Sequence, residues 1–342
     1  MRYGLSEKQR SEIINIISRH PEIEEAVLFG SRAIDTYKEA SDVDIALKGK
    51  KVTLSLAAKL KFDIEEGTYL PFFFDFVAYP TITNEALKEH IDKKGVTIYR
   101  AGWKECTLAD IAVLHSKAII SGSFVSNISN KYSNETSVPV IRSNNLSLDI
   151  GTRFIDDDFV FISKENAKES GAWAEKDDLI FATTRTIGQV GILQGKEKYS
   201  HYILSDKQLK VSLNKSIIEP LYAYYWFASH LIIDMVINSD MGSTIPLINL
   251  SVLKSLPLLL PTLSEQRAIV SVLSSLDDKV YLLNRQNKTL EAMEETLSMH
   301  SHKEVRSIFD KMYINQSQIR TLEKLRDTLL PKLMSGEVRV EI

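Results

Sequence analysis

LFGSRAIDTYKEASDVDIAL, residues 28–47, followed by FFFDFVAY, residues 72–79, decides the fold of the first third of the chain. AVLF (26–29) reads as a buried strand, and Gly30-Ser31 makes a sharp turn after it. DVDIAL (42–47) is a second strand. Asp42 and Asp44 lie two apart on it, so both project from one face, while Val43 and Ile45 take the other, toward a core. In the third strand Phe72, Phe74 and Phe76 share one face, and Phe73, Asp75 and Val77 the opposite one. A carboxylate inside that aromatic run is costly to desolvate without a cation or hydrogen-bond partner, so Asp75 reads as buried. Three carboxylates converging from neighbouring strands make an oxygen-rich site for hard divalent ions, notably Mg²⁺. Two such ions can stabilise the attacking and leaving oxygens of a phosphoryl displacement. Gly30 and Ser31 can offer backbone N–H and hydroxyl donors to phosphate oxygens, and Arg32 a cation beside them. A bare Asp-x-Asp would read as a solvated strand edge. The Gly-Ser-Arg ahead of it and the third Asp behind it favour a site.

Around this stretch, Ser6 with Gln9 three residues on predicts a capped helix carrying Ile13, Ile14, Ile16 and Ile17, which Pro21 ends. Helices over 52–66 and about 84–93, and a strand at VTIYR (96–100), complete a small α/β domain. The Gly-Ser and double-Asp motifs, with FFFDFVAY behind them, closely resemble the minimal nucleotidyltransferases of the DNA-polymerase-β-like superfamily, which includes antitoxin-type proteins. The resemblance covers residues 1 to about 103. It implies that Asp42 and Asp44 bind metal, that Asp75 is a third carboxylate helping to activate the attacking hydroxyl, and that Ser31 holds the triphosphate. Mg²⁺ and a nucleoside triphosphate are then the expected cofactors, and a toxin is one possible protein partner.

The chain has 342 residues, 44% hydrophobic and 25% charged, values that exclude a disordered chain or a collagen-like one. One cysteine, Cys106, allows no intrachain disulfide, which fits a reducing compartment. The first residues contain no apolar core of signal-peptide length, and the longest apolar stretch, 217–237, carries Glu219, Pro220, His230 and Asp234. It reads as one buried helix rather than a membrane span, and the chain as cytoplasmic. The formal net charge is −3, so no cationic balance announces nucleic acid.

Residues 104–263 are richer in Ser, Asn, Thr and Gly. They read as an α+β domain with strands in 137–146, 159–163, 178–184, 189–193 and 207–213. Arg142, Asn144, Asn145, Arg153, Arg185, Gln189, Lys196 and Lys198 fall near the turns. Such residues can read base edges in a major groove; taken singly, each is equally a solvated loop residue. SVPVIRSNNL (137–146), EKDDLIFATTRTIGQVGIL (175–193), EPLYAYYWFASH (219–230) and MGSTIP…LPLLLP…EQRAI (241–269) follow in order. Together with the tail TLEKLRDTLLPKLMSGEVRV (321–340) they resemble a type I restriction–modification specificity subunit. The likeness covers about 105–342: a target recognition domain running into conserved helices. It implies double-stranded DNA as ligand, modification (methyltransferase) subunits and a restriction subunit as partners, and S-adenosylmethionine and ATP used only through those partners. The alternative is a nucleotidyltransferase for which the recognition domain is a DNA-targeting or scaffold module.

Residues 264–334 read as long helices, with 335–342 as a tail. Ile269, Leu273, Leu276, Val280, Leu283, Asn287 and Leu290 form a heptad seam, and polar Asn287 at a core position sets register at a cost in stability. A second helix, about 305–334, carries Ile308, Met312, Ile319, Leu322, Leu329 and Leu333, with Pro331 late in it. The family reading makes these a coiled-coil spacer that docks modification subunits. The seam alone leaves its partner open: the second helix, another copy, or both. A full specificity subunit has two recognition domains and this chain has one, so a homodimer through the helices is expected.

Overall fold

The computed structural model describes residues 3–123, 137–183, 188–238, 248–297, 302–338 and 340. They form two compact units, one of residues 1–103 with 335–339, the other of 104–334 with 340–342.

The first unit runs α1 (Glu7–Ile17), β1 (Glu25–Phe29), the single-turn α2 (Gly30–Ala33), β2 (Val43–Lys48), α3 (Leu54–Gly67), β3 (Phe74–Ala78), α4 (Glu85–Lys94) and β4 (Val96–Arg100). Ser6 and Gln9 close a reciprocal capping box at α1, and Thr53 and Asn84 cap α3 and α4. The sheet order is β3-β2-β1-β4, with β2 antiparallel to β1 and parallel to β3. One face packs Val43, Ile45, Leu47 and Phe74 against Ile13 and Ile17 of α1 and Leu60 and Ile64 of α3. The other packs Val27, Phe29 and Ala46 against Ile91 of α4. That second cover stops short of the start of β2, which leaves one end of the face open. Within this unit Arg100 is buried, salt-bridged to Glu25 at 3.1 Å and stacked on Trp103, and it donates to the Gly336 carbonyl. Gly336 has φ +75°, and a Cβ there would meet the Arg100 guanidinium at 3.0 Å.

The second unit comprises β5 (Lys104–Thr107), β6 (Ile119–Ser121), β7 (Ser137–Ile141), β8 (Val160–Ser163), α5 (Lys164–Ser170), β9 (Trp173–Ala174), β10 (Asp178–Ala182), β11 (Val190–Ile192), β12 (Tyr202–Leu204) and β13 (Gln208–Ser212). Then follow α6 (Pro220–Phe227), α7 (His230–Asn238), α8 (Leu250–Ser255), β14 (Pro257–Leu260), α9 (Leu263–Leu297) and α10 (His302–Met334). Two four-stranded sheets, β11-β10-β13-β6 and β8-β7-β12-β9, share a core that includes Ile141, Ile180, Tyr202 and Leu204. α5 covers the outer face of the second sheet through Ala167.

The apolar stretch 217–237 is not one helix: α6 ends at Phe227 and α7 starts at His230. The Ser229 hydroxyl donates back to the Trp226 carbonyl at 2.6 Å across this break. α6 is buried nearly all round because its polar tips are satisfied. Tyr222, Tyr224 and Tyr225 donate to Leu259 O, Ile150 O and Asp277 Oδ2, and Trp226 Nε1 to Pro257 O. Among the described residues no helix is long and apolar enough to cross a membrane. LPLLLP, not expected as a strand, contains β14, which pairs with β5.

α9 and α10, about 50 Å long, form an antiparallel hairpin. Val280 and Leu283 pack on Ile319 and Leu322, and Asn315 Nδ2 donates to Asn287 Oδ1 at 2.8 Å. The seam's partner is therefore the chain's own second helix. Pro331 sits in the last turn of α10, where it cannot give the Asp327 carbonyl the N–H that an ordinary residue would donate.

The base of the hairpin is tied to the recognition domain by a buried ion network. Asp277 of α9, 3% exposed, accepts from Arg326 Nη1 of α10 at 3.0 Å and from the Tyr225 hydroxyl at 2.6 Å. Arg153 donates to Tyr225 Oη at 2.9 Å and lies 3.6 Å from Asp277. Burial alone would lower the pKa of Arg326, but hydrogen bonds to Asp277 and Asp327 outweigh it and hold the guanidinium charged. We expect Asp277→Ala to cost about 3–5 kcal/mol in urea denaturation of the second unit, because two guanidinium groups are left buried without their shared carboxylate. A cost below about 1 kcal/mol, typical of an exposed pair, would contradict this account.

Candidate functional site

The carboxylate centre of the first unit lies at the uncovered end of the sheet. Parallel pairing sets Asp44 of β2 level with Asp75 of β3, and antiparallel pairing sets Asp44 opposite Phe29 of β1. Gly30 follows Phe29 directly and turns at φ +71°. A Cβ at Gly30 would lie 2.4 Å from Asp44 Oδ2, so glycine is required both by the backbone and by the close approach of the carboxylate. The half-buried Ser31 is the second residue of the short α2, and its carbonyl accepts the Thr36 N–H at 2.9 Å.

Burial, then the neighbouring Asp75 and Asp42, push the Asp44 carboxyl above its usual range, and Arg32 only partly offsets them. A cation at this place would relieve the mutual repulsion. Among the described residues no three His, Cys, Asp or Glu side chains come together closely enough to hold a metal ion by themselves. The donor set suits Mg²⁺ in its common mode, with one or two protein carboxylates and the other positions taken by water and substrate phosphates.

Two expectations about this site change. Asp75 is exposed rather than buried, because β3 is an edge strand of its sheet; Lys61 of α3 lies 3.5 Å from it. Phe74 and Phe76 turn to the other side, their rings 6.0 Å apart. Arg32 is buried, and its guanidinium donates to the carbonyls of Tyr3, Ser41 and Asp42 at 2.6–3.1 Å, 4.7 Å from the centre of the Phe72 ring and 5.3 Å from that of Tyr37. The cation expected beside the phosphates instead fixes the chain where it enters β2 at Asp42. The partners Lys61, Tyr37 and Phe72 carried no signal in the sequence, since each is reached only through the tertiary fold.

The eight candidate DNA-reading residues separate. Arg142 Nη2 donates to Asp158 O at 2.7 Å and Asn144 Nδ2 to Asp158 Oδ2 at 2.8 Å, while Lys198 pairs with Asp157 at 3.3 Å. The 156–158 turn thus gathers these three at the surface. Lys196 is exposed and stands apart from them. Gln189 is half-buried, and its Oε1 has no hydrogen-bond partner among the described residues. Asn145 is fully buried: its amide donates to Ile155 O and Asp157 O and accepts the Arg142 N–H. Arg153 turns inward to the ion network. Arg185 and the MGSTIP motif lie outside the described residues. Sequence reasoning missed Tyr225, Asp277 and Arg326. Arg326 had a usable signal, since it continues the seam Asn315, Ile319, Leu322 as a charged residue at a core position.

Residues 100–292 match the family model of the type I restriction modification DNA specificity domain, and residues 11–102 match that of the polymerase β nucleotidyltransferases. Among solved structures, the specificity subunit HsdS from Thermoanaerobacter tengcongensis is similar at 20% identity and TM-score 0.40, over 59% of this chain and 50% of that one. The type I S subunit from M. genitalium is similar at 14% identity and TM-score 0.38, over 61% and 48%. A toxin–antitoxin complex with AMP-PNP matches 27% of this chain and 73% of its own at 20% identity and TM-score 0.24. The chain spans about half the length of the specificity subunits it matches. With the specificity model covering over half its residues, behind a polymerase-β-type nucleotidyltransferase domain, the chain belongs to the type I restriction–modification DNA specificity family.

Proposed function

We propose that the chain is the DNA-recognition subunit of a type I restriction–modification system and carries a Mg²⁺-dependent nucleotidyltransferase. The observation that carries the first half is the specificity-family match over 100–292, on a two-sheet domain whose helical hairpin is tied to it by buried charge. In this reading the second unit binds double-stranded DNA, and modification and restriction subunits supply S-adenosylmethionine and ATP chemistry. Arg142, Asn144, Gln189, Lys196 and Lys198 are the candidates for DNA contact. Asn145 and Arg153 act as positioning residues.

Two copies pair to provide two recognition domains. Because α10 already fills the seam of α9, that pairing uses the outer faces of the hairpin, where Tyr281, Leu282, Phe309, Tyr313 and Ile314 are exposed. Light scattering after size exclusion is expected to give the mass of a dimer at micromolar concentration; a monomer there refutes the pairing. Co-expression with the cognate modification subunit is expected to create a new methylated motif detectable by methylome sequencing. No new motif counts against the recognition role.

In the first unit, Asp44 with Asp42 would hold Mg²⁺, water and substrate phosphates filling the other positions, and Gly30 and Ser31 would hold the triphosphate. The metal, when bound, supplies charge stabilisation at the reacting phosphate. Asp75, exposed and level with Asp44, accepts the proton of the attacking hydroxyl, and Arg32 fixes Asp42 through the backbone. A second reading makes the chain a nucleotidyltransferase that modifies a toxin or other partner, with the recognition domain as its targeting or scaffold module, and draws support from the nucleotidyltransferase family match over 11–102.

The raised pKa of Asp44 also makes a stability prediction. A carboxyl protonated more readily in the folded state than in the unfolded state contributes stability at low pH, and loses it as pH rises through its folded pKa. In metal-free buffer Asp44→Asn is therefore expected to melt at a higher temperature than wild type at pH 7, with the difference closing below the carboxylate range. The same variant is expected to lose Mg²⁺-dependent nucleotide binding. A lower melting temperature at pH 7 would contradict the electrostatic account of the site.

A further inference from the structure

The turn at 156–158 carries three consecutive aspartates with two different tasks. Asp156 is structural. Its carboxylate accepts the hydroxyl of the buried Tyr202 at 3.0 Å and the Lys198 backbone N–H at 2.6 Å. The buried Asn145 donates to the carbonyls of Ile155 and Asp157, so the turn is fixed from beneath at two places. Asp157 and Asp158 project outward instead, their side chains 83% and 85% exposed.

Both outer carboxylates engage candidate DNA-contacting residues. Asp157 lies 3.3 Å from Lys198 Nζ. Asp158 Oδ2 lies 3.6 Å from Arg142 Nη2 and accepts from Asn144 Nδ2 at 2.8 Å. The Asp158 N–H and Lys198 hold the Asp157 carboxyl below its usual range, and Lys288 of α9 adds to the pull. Exposed pairs of this kind add little to stability, because water screens both partners. Their effect on an incoming polyanion is larger. A cation already neutralised by a carboxylate releases no counterion to a phosphate, and the carboxylate beside it repels that phosphate. A base edge differs from a phosphate in geometry. Arg142 and Asn144 leave Asp158 without loss only where the groove returns matched acceptors, such as guanine O6 and N7 or adenine N7. A mismatched base leaves these donors worse paired than they were in the free chain.

We propose, on the recognition reading above, that Asp157 and Asp158 are specificity-determining residues: they occupy Arg142, Asn144 and Lys198 so that duplex DNA of arbitrary sequence is not held through its phosphates. They act on DNA through the side chains they occupy, and they discriminate by making the wrong contact unfavourable rather than the right one stronger.

The test uses the full chain with Asp157→Asn and Asp158→Asn combined. Asp158 has φ +53°, a region that asparagine adopts as aspartate does, so the double variant removes charge while keeping size and backbone. Binding to a fluorescent duplex of arbitrary sequence is followed by anisotropy over a salt series. At about 50 mM salt the double variant is expected to bind about tenfold more tightly than wild type. Its log affinity is expected to fall with log salt more steeply by about 1.8, the slope for two further phosphates, one each on Arg142 and Lys198. Adding Arg142→Gln and Lys198→Gln is expected to abolish the gain. Glu165→Gln with Glu169→Gln on α5 makes the same change in net charge and is expected to give a much smaller one. Co-expressed with the cognate modification subunit, the Asn variant is expected to methylate near-matched sites as well as the wild-type motif. A gain no larger than that of the α5 variant, a gain that survives loss of Arg142 and Lys198, or a methylated motif as stringent as wild type's each overturns the proposal. A wild type that directs no methylated motif overturns instead the recognition reading beneath it.

Discussion

Asp277 is the constraint on which the second unit depends. A carboxylate 3% exposed is tolerable only when its charge and lone pairs are met, and here one oxygen takes Arg326 and the other takes Tyr225, with Arg153 alongside. These groups come from α9, α10, α6 and the loop after β7. Shifting the hairpin against the recognition domain would break charge-assisted bonds in a setting of low dielectric. The loop between Asn145 and Phe159 is therefore held at two points. Asn145 binds the carbonyls of Ile155 and Asp157 at one, and Arg153 reaches α9 at the other. Side chains that could meet DNA, Arg142 and Asn144, hang from that loop's own carbonyl and carboxylate at Asp158. The geometry of this loop thus depends on the helices.

Asp44 shows the same physics left unsettled. It too is partly withdrawn from water, yet it faces Asp75 and Asp42 rather than two guanidinium groups, and the one nearby arginine spends its donors on backbone carbonyls. A fold selected only for stability would place an apolar or paired residue there. Gly30 accommodates this carboxylate at the price of a left-handed backbone and no side chain. The proposed ligand role of Asp44 rests on this contrast between compensated charge at Asp277 and uncompensated charge at Asp44.

The features legible in the sequence are those set by near neighbours. The Ser6–Gln9 capping box and the alternation that puts Asp42 and Asp44 on one face appear as read, and α9 buries Leu273, Val280, Leu283 and Asn287 of its seam, with Asp277 rather than the adjacent Leu276 buried between the first two. What was hidden is where a side chain ends up once remote segments arrive. Asp75 looked buried because its sequence neighbours are aromatic, but strand order makes β3 an edge and turns those rings away. Arg32 looked like a phosphate ligand because of its motif. The carbonyls that claim it belong to Tyr3, Ser41 and Asp42, two of them brought by the turn into β2. Asn145 and Arg153 had the composition of base readers. Each is drawn inward by an acceptor, Asp157 or Asp277, that only the fold brings near. The seam of α9 could not name its own partner, whereas Asn315 and Arg326, polar at core positions of α10, match Asn287 and Asp277 in antiparallel order. The Asn287–Asn315 pair was readable in principle from the two heptads laid side by side, whereas Asp277, one residue past the seam position read at Leu276, was not.

The same arrangement bears on how a chain of net charge −3 can serve DNA. Most nonspecific affinity comes from neutralising phosphates with free cations. On the described face Arg142 and Lys198 are matched by Asp158 and Asp157, and Arg153 is committed to the interior. Under the proposed recognition role the loop would contribute Arg142 and Asn144, side chains placed by their bonds to Asp158, rather than free cations. Discrimination without grip works only inside an assembly whose other members hold the phosphates. The near-neutral balance is therefore an argument for recognition by a subunit rather than against recognition altogether.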